Sequence, residues 1–469
     1  MGVPARCATF RGRSLCSRCD GDARNTLKIE SFCNALQKLV EITDFLQYIV
    51  DMEENIYISR EAYIKRLRSF KNKQLIKVIT GIRRCGKSTL LEQWKSLLLK
   101  EGVSEPQIVF INFEDYEYKK LHDKDEFYKY VKAKIIPDKR MYLFFDEIQR
   151  VEHFEEVVDS FFINPLIDIY ITGSNSSILS GELATYLSGR YVEINLQPFS
   201  FREFVTATKM NGNLSSAYRI YLETSSFPYA LSLEKQGIRE YLESLYNTIL
   251  VKDIVLRKKI NDVAILQSIT EFAFDNIGLE LSSKKIADTM TSGGRKIDSR
   301  MVENYLSSLC ETYVLYKVKR YNIKGKEYLK SLEKYYVADI ALRSTLLGKK
   351  SMDVGHVLEN IIFLELLRRR YKVYVGKIDD TEIDFVAQTQ DGNFYIQVAA
   401  SVRDEQTLER ELRPLKAIKD NYPKLILTLD EDPEADFNGI KRMNALDWLM
   451  DDRIDEKKCD IMGDRSDTK

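Results

Sequence analysis

The stretch ITGIRRCGKSTLLEQW (residues 79–94) decides the fold of this chain of 469 residues. Its central part, GIRRCGKST at 81–89, fits the pattern G-x-x-x-x-G-K-[ST] and lies between an apolar run and a helical segment, as that motif requires. Two glycines let the backbone N–H groups converge on phosphate oxygens, and the start of the following helix adds the positive end of its dipole. The sequence therefore predicts a phosphate-binding loop that joins a buried strand to a helix.

The residue types in this loop indicate a nucleotide and a magnesium ion. Lys87 is expected to reach the β- and γ-phosphates, and the Ser88 hydroxyl is expected to ligate Mg²⁺. The residues expected to contact the nucleotide are Gly81, Ile82, Arg83, Arg84, Cys85, Gly86, Lys87, Ser88 and Thr89. A chance match is the alternative, and the flanking strand and helix argue against it.

An acidic pair supplies the second half of the predicted site. In MYLFFDEIQRV (141–151), five apolar residues precede Asp146 and Glu147. Asp146 is expected to hold Mg²⁺ through water. Glu147 is expected to polarise the attacking water, because that task needs a carboxylate beside the metal but not bound to it. GTPases that use a glutamine for this task lack the paired acid, so the predicted cofactors are ATP and Mg²⁺.

Two further positions are candidates for contact with the γ-phosphate. The next apolar run, IDIYITGSNSS (167–177), ends in Ser174 and Asn175, which spacing alone does not distinguish. We place Asn175 beside Glu147 in the catalytic set, with an ordinary turn as the alternative. Arg190 precedes the following strand. It is included as an arginine finger acting on a neighbouring chain's nucleotide, with a structural ion pair as the equal alternative.

The pattern of apolar runs predicts an α/β fold class. Five short runs alternate with helical segments, as is typical of buried parallel strands joined by crossover helices. They are LIKVIT (75–80), IVFIN (108–112), MYLFF (141–145), IDIYIT (167–172) and YVEINL (191–196). We therefore expect a doubly wound parallel sheet over about 55–205.

Beyond residue 205 the pattern changes twice. The segments SSKKIADTM (282–290) and DSRMVENYLSSLCETYVLYKVKRY (298–321) predict a helix, a turn, a second helix and a strand-like wing, which is a winged-helix pattern. A small α/β unit follows from about Lys334. The predicted domains are a poorly ordered extension at 1–51, the P-loop domain at 52–205, a helical and winged-helix-like domain at 206–333, the small α/β domain at 334–455 and a polar tail at 456–469.

The composition excludes several classes of protein. With 44% hydrophobic residues, 30% charged residues and 9 prolines, the chain is neither disordered nor collagen-like. Lys and Arg (71) balance Asp and Glu (71), so no global field draws it to nucleic acid or to an anionic membrane. No run approaches the roughly 18–20 apolar residues of a membrane span. With 7 cysteines and no signal-peptide pattern, we expect a cytoplasmic protein without a membrane partner.

Several phrases carry a resemblance to a known family. GIRRCGKS, FFDEIQ, TGSNSSIL, LSGRY and LQPFSFREF, with KYYVADIALR, VGHVLENIIFLEL and EIDFVAQ later, resemble a family of bacterial and archaeal AAA-type ATPases over about residues 55–450. In that family a C-terminal domain of unknown function resembles a PD-(D/E)xK nuclease. The resemblance implies an AAA-type P-loop domain, ATP binding and ATP hydrolysis.

The same resemblance implies a nuclease-like site in the C-terminal unit. Glu359, Asp384 and Gln397 match its metal-binding positions, but Ala399 stands where such nucleases have a lysine. The catalytic set is therefore incomplete, and we expect a degenerate domain that does not cleave DNA. A weak or repurposed nuclease is the alternative.

These patterns lead to one functional hypothesis and two rivals. We expect an ATP hydrolase acting as a switch or motor on DNA or a protein partner, with homo-oligomerisation as one form of partnership. The basic patches GRKIDSR (294–300) and YKVKRYNIKGK (316–326) would contact DNA phosphates through the winged-helix region, unless they are solvated surface. The rivals are a nucleotide-gated binding module without significant hydrolysis and an ATP-gated DNA nuclease.

Overall fold

The computed structural model describes residues 58–179, 187, 189–260, 262–348, 353–390 and 392–451. The predicted extension at 1–51 and the polar tail at 456–469 lie outside the described residues. The described residues belong to one compact unit. No helix in the described part of the chain is long and apolar enough to cross a bilayer.

A parallel sheet carries the phosphate-binding loop. Its strands, within the described residues, are β1 (Ile76–Thr80), β2 (Ile108–Asn112), β3 (Met141–Asp146), β4 (Ile167–Gly173) and β5 (Tyr191–Asn195), in the spatial order β2-β3-β4-β1-β5. All the pairings are parallel. Each of the five predicted apolar runs matches a strand to within one residue at either end. The runs are apolar because parallel strands are covered on both faces, and β1, β3 and β4 are buried along their whole length.

Crossover helices cover this sheet. They are α2 (Lys87–Lys100), α3 (Lys124–Lys134) and α4 (Phe154–Phe162), and a further helix, α1 (Glu61–Ser69), precedes β1. Between the strands and helices lies a core of fully buried side chains such as Ile76, Val78, Leu143, Phe145 and Ile171. Since parallel strands end at the same edge, Asn112 lies opposite Asp146, and Thr80 lies opposite both Gly173 and Asn195. The loop after β1 and the acids after β3 therefore meet at one edge.

A helical region follows the sheet. Its α-helices are α5 (Phe201–Thr208), α6 (Leu214–Thr224), α7 (Lys235–Thr248), α8 (Leu256–Lys258), α9 (Val263–Asp275), α10 (Ser283–Ser292) and α11 (Ser299–Glu311). A π-helix, Ile249–Val255, joins α7 to α8. The segments predicted to form two helices separated by a glycine turn are α10 and α11, each capped by a side chain, Ser282 and Asp298 respectively.

A second, mixed sheet occupies the C-terminal half. Its strands are β6 (Glu280–Leu281), β7 (Leu315–Asn322), β8 (Glu327–Val337), β9 (Lys372–Ile378), β10 (Thr381–Thr389), β11 (Gly392–Ala399), β12 (Lys424–Thr428), β13 (Ala435–Asp436) and β14 (Ile440–Asn444). Its helices are α12 (Ile340–Leu347), α13 (Val354–Arg368), α14 (Glu405–Ala417) and α15 (Ala445–Met450). Among the described residues the strand order is β13-β14-β12-β11-β10-β9-β7-β8-β6. The hairpin β7–β8 is thus continuous with the C-terminal strands, and the boundary predicted at 333/334 lies inside β8.

Candidate active site

Two glycines shape the phosphate-binding loop. Gly81 has φ 148°, and a Cβ there would lie 2.0 Å from the backbone oxygen of Leu196. Gly86 has φ 101° in the left-handed region and is the N-cap of α2. A side chain is excluded at the first position by contact and disfavoured at the second by backbone conformation. The loop therefore curls against β5 and delivers its amide groups to the start of α2.

The ammonium group of Lys87 is buried at the mouth of this loop. The residue is 4% exposed, and its Nζ donates hydrogen bonds to the backbone oxygens of Gly81 (3.2 Å) and Ile82 (3.3 Å). It also lies 3.8 Å from Oε1 of Glu147. The cation is therefore placed between the loop and the acidic strand end, where an anion would compete for it.

Asp146 ends β3 with one carboxylate oxygen satisfied and one open. Its Oδ1 accepts a hydrogen bond from the Thr172 hydroxyl at 2.5 Å, and the Ser88 hydroxyl also bonds the carboxylate. Burial raises the pKa of Asp146, although these two hydroxyls oppose the shift. Oδ2 is buried with no hydrogen-bond partner within the described chain. An open carboxylate oxygen beside a serine hydroxyl matches the oxygen ligands of Mg²⁺.

A metal at this position would need ligands from outside the chain. Among the described residues, no group of three or more His, Cys, Asp and Glu side chains is placed to hold a metal ion. Mg²⁺ is commonly bound by one or two protein oxygens completed by water and substrate phosphates. Ser88 and Asp146 fit that mode of binding.

Glu147 is held by hydrogen bonds to both of its carboxylate oxygens. Oε1 accepts from the Ser174 hydroxyl and Oε2 from the Gln149 side-chain amide, each at 2.5 Å. Its backbone is left-handed, with φ 52°, and its N–H donates to Thr172 Oγ1 at 2.9 Å. Burial would raise the pKa of Glu147, but Lys87, Ser174 and Gln149, with a smaller effect of Arg83, outweigh it and lower the pKa. The carboxylate is therefore ionised and able to accept a proton.

Sequence reasoning missed two of the three side chains that organise the two acids. Thr172, Ser174 and Gln149 all contact Asp146 or Glu147, yet only Ser174 had been weighed. All three lie inside the quoted phrases after β3 and along β4, so their polarity at strand ends was the available signal. Asn175 is buried at the same edge, and the contact with Glu147 comes from Ser174.

Arg190 lies away from this edge. It precedes Tyr191, which pairs with Ile76 at the beginning of β1, so it belongs to the opposite edge of the sheet from the loop. Its guanidinium forms an ion pair with Asp159 and lies over the ring of Phe162. Arg190 therefore does not join the phosphate site of its own chain, and its role in a neighbouring chain's site stays a prediction.

The loop is tied to the helical region by its first arginine. Arg83 donates two hydrogen bonds to Asp253, at 2.9 and 3.0 Å, and Asp253 lies in the π-helix Ile249–Val255. These hydrogen bonds raise the pKa of Arg83 against the effect of burial. Arg84 has φ 66° and its side chain is exposed. Two hydrogen bonds thus join the loop directly to the π-helix.

A second anchor, Arg60, holds the back of the loop. This residue is 4% exposed, and it donates to the backbone oxygens of Cys85 (3.3 Å) and Gln197 (2.6 Å). It also pairs with Glu203 at 2.8 Å. Nothing in the sequence distinguished Arg60 from the other basic residues of the first helix.

The three residues of the predicted nuclease-like site meet in the second sheet. Glu359, Asp384 and Gln397 line one cavity of about 570 Å³. The Asp384 N–H donates to Gln397 Oε1 at 3.3 Å, and Gln397 Nε2 donates to Glu411 at 2.8 Å. Asp384 accepts from the N–H of Val398 at 2.7 Å. The Gln397 side chain is therefore bonded to the Asp384 backbone and to Glu411, and the Asp384 side chain is bonded to the backbone of Val398.

A lysine does reach this cluster, but from a position for which the sequence predicted no role in the site. Lys334 of β8 is 3% exposed and pairs with Glu359 at 3.0 Å and Glu382 at 2.7 Å. Burial alone would lower the pKa of Lys334, but Glu359, Asp384 and Glu382 outweigh it and raise the pKa. The Lys334 ammonium thus neutralises carboxylates that would otherwise be available to bind a metal ion. Arg403, which follows the β11 strand that carries Gln397, is exposed and forms an ion pair with Asp432.

Comparison with known proteins places this geometry in a family. Residues 73–205 match the family described as "AAA domain", and residues 215–353 match "Domain of unknown function (DUF8612)". An uncharacterized protein of Haemophilus influenzae is 38% identical over 397 residues, which are 84% of this chain and 98% of the relative. The chain belongs to this family of AAA-type P-loop ATPases. A Methanocaldococcus jannaschii protein, MJ1544, is 28% identical over 82% of this chain and 89% of its own length.

Solved structures give a weaker likeness to this AAA-type chain. The Walker-type ATPase PABY2304 of Pyrococcus abyssi matches 62% of this chain and 97% of its own, with 16% identity and a TM-score of 0.45. The Orc1 protein of Aeropyrum pernix, solved in complex with DNA, matches 63% and 96%, with 12% identity and a TM-score of 0.28. Scores of this size do not establish a shared fold over the whole chain. The nuclease-like interpretation of the C-terminal unit is matched by neither family description.

Proposed function

We propose that this AAA-type protein binds ATP with Mg²⁺ and hydrolyses it, and that it acts as a switch or motor on DNA or a protein partner. The observation that carries the proposal is the placement of the ionised Glu147 carboxylate 3.8 Å from the buried ammonium of Lys87. A protein that only binds nucleotide has no need of a buried, ionised carboxylate at this point.

Each residue of the site has a distinct task in this proposal. Lys87 would exchange its backbone oxygen partners for the β- and γ-phosphates, while the N–H groups after Gly81 bind the remaining oxygens. Ser88 and Asp146 would hold Mg²⁺, which neutralises charge on the phosphates. Glu147, kept off the metal by Ser174 and Gln149, would accept the proton of the attacking water.

An ATPase assay of the purified full chain tests the proposal. We expect Mg²⁺-dependent release of inorganic phosphate that stops when the metal is chelated. The same assay with double-stranded DNA tests the partner, since a DNA-coupled switch should turn over faster when DNA is present. Tight ATP binding without phosphate release under either condition would instead support the nucleotide-gated binding module.

The order of elements in the helical region supports DNA as the partner. From α9 to β8 the chain runs helix, short strand, two helices and a hairpin, and β6 pairs with β8, as expected for a winged helix. Lys296 and Arg300 are exposed before and at the start of α11. The tip of the hairpin is docked on the C-terminal strands, since Lys324 pairs with Asp379 at 2.6 Å. We therefore propose that α11, rather than the hairpin tip, would contact phosphates.

We expect no DNA cleavage by the C-terminal cluster, even with Mg²⁺ or Mn²⁺ and ATP present. Ala399 is not a lysine, and Lys334 is committed to two carboxylates that a metal would need. The measurement incubates supercoiled plasmid with the wild type and with Asp384→Ala at matched concentration. Nicking by the wild type that is absent in the variant would overturn this expectation, whereas equal nicking in both would identify a contaminant.

A further inference from the structure

Gln149 makes a contact that its position in the sequence does not require. It lies in the one-turn 3₁₀-helix Ile148–Arg150 directly after the acidic pair, and the residue as a whole is exposed. Its side chain nevertheless turns inward, and its Nε2 lies 2.5 Å from Oε2 of Glu147. Holding the side chain of an exposed glutamine against a buried carboxylate costs side-chain entropy. The contact must offset that cost.

The end of β4 leaves room for this amide. A Cβ on Gly173 would lie 3.0 Å from Oε1 of Gln149 and 2.8 Å from Ile178 Cδ1. Gly173 has no positive φ, so its backbone conformation does not demand glycine. The absent side chain is instead what lets the amide of Gln149 approach the strand end and face Glu147.

One hydrogen-bond donor alone would not fix the orientation of the Glu147 carboxylate. The Ser174 hydroxyl binds Oε1 alone, which leaves the carboxylate free to turn about its terminal bond. A second donor on Oε2 fixes the plane of the group. An ionised carboxylate offers about four lone-pair positions, so two hydrogen bonds still leave room for a proton from water. Glu147 is thus oriented without being blocked.

We propose that Gln149 is a positioning residue for ATP hydrolysis: its side-chain N–H aims the Glu147 carboxylate at the attacking water and keeps it off the metal. This inference rests on the proposed function. Within the described residues Gln149 makes no hydrogen bond to the loop at 81–89, so its loss should change kcat and leave the KM for ATP in place. A misplacement of about 1 Å in a catalytic group can cost about 100-fold, so we expect kcat to fall about 10- to 100-fold.

The experiment compares two substitutions at one position. Gln149→Ala removes the amide, whereas Gln149→Glu keeps its size and shape but has no N–H to donate. Both should lower kcat with KM within about twofold of the wild type, since only the donor is needed. The control is Glu152→Ala, an exposed change three residues further on that should leave both constants unchanged. Thermal unfolding of each variant confirms that the fold is kept.

The outcomes separate this inference from the proposed function. If the wild type does not hydrolyse ATP, the proposed function fails and the inference fails with it. If Glu147→Gln hydrolyses ATP at the wild-type rate, the protein is still an ATP hydrolase, but Glu147 is not the base and the inference is overturned. If hydrolysis depends on Glu147 but Gln149→Ala keeps the wild-type kcat, the inference alone is overturned. It is also overturned if KM rises in Gln149→Ala while kcat stays constant.

Discussion

Glu147→Gln is expected to abolish turnover while leaving ATP binding in place. The substitution keeps the size of the side chain and its capacity for hydrogen bonds, but an amide cannot accept the proton of the attacking water. Loss of a general base typically costs about 10²- to 10⁴-fold in rate. Because the phosphate contacts of the loop do not depend on Glu147, we expect the fall in kcat without a comparable loss of ATP affinity.

The surroundings of Glu147 predict that this variant will fold. The new amide oxygen can accept from Gln149, and the new amide nitrogen can donate to the Ser174 hydroxyl, so neither neighbour loses its partner. The assay measures phosphate release under saturating ATP alongside calorimetric binding of ATP. Glu92→Gln, an exposed change on α2, is the matched control. Undiminished turnover in Glu147→Gln would move the water-activating role to another residue.

The principal residues of the site could be predicted because their order along the chain reflects the sheet. Motifs at the carboxyl ends of parallel strands are brought to one edge by the fold itself, so a loop after β1 and acids after β3 must meet. The orientation of those acids could not be predicted. It depends on the left-handed φ of Glu147 and on hydroxyls and an amide whose directions follow from strand register, which one sequence does not reveal.

The C-terminal cluster shows a different limit of sequence reasoning. The resemblance to a nuclease-like domain implies a lysine at position 399, where this chain has an alanine. Lys334, on β8, lies 25 residues before its partner Glu359, at the very start of the predicted small α/β domain. Only the strand order β10-β9-β7-β8 brings that strand into the same sheet. Motif spacing describes one stretch of chain, whereas ion pairs in a mixed sheet join distant stretches.

Arg190 shows that the order of residues along the chain also decides at which end of the sheet a side chain lies. A residue that precedes a parallel strand lies at the amino edge of the sheet, opposite to residues that follow one. Arg190 is therefore distant from the loop because of the direction of the strands, which the prediction of a parallel sheet already implied. Its ion pair with Asp159 is the alternative that the sequence left open.

Lys87→Ala is expected to weaken ATP binding more than any other single change in the site. The ammonium is buried, and it is the lysine that the loop presents to the nucleotide. Truncating one partner of a buried, hydrogen-bonded charge pair costs about 2–5 kcal/mol, and each factor of ten in affinity corresponds to about 1.4 kcal/mol. The expected loss of ATP affinity is therefore about 30-fold to several thousand-fold, measured by calorimetry.

The folded structure should survive this change, and the control must show it. Lys87 donates only to two backbone oxygens of the loop, which water can reach once the side chain is gone, and its interaction with Glu147 spans 3.8 Å. Lys100→Ala, at the exposed end of the same helix, removes an equal charge far from the loop. We expect both variants to unfold cooperatively near the wild-type temperature, with only Lys87→Ala losing ATP. Wild-type affinity in a folded Lys87→Ala variant would place the nucleotide elsewhere, because a phosphate site built on this loop should lose affinity when its buried cation is removed.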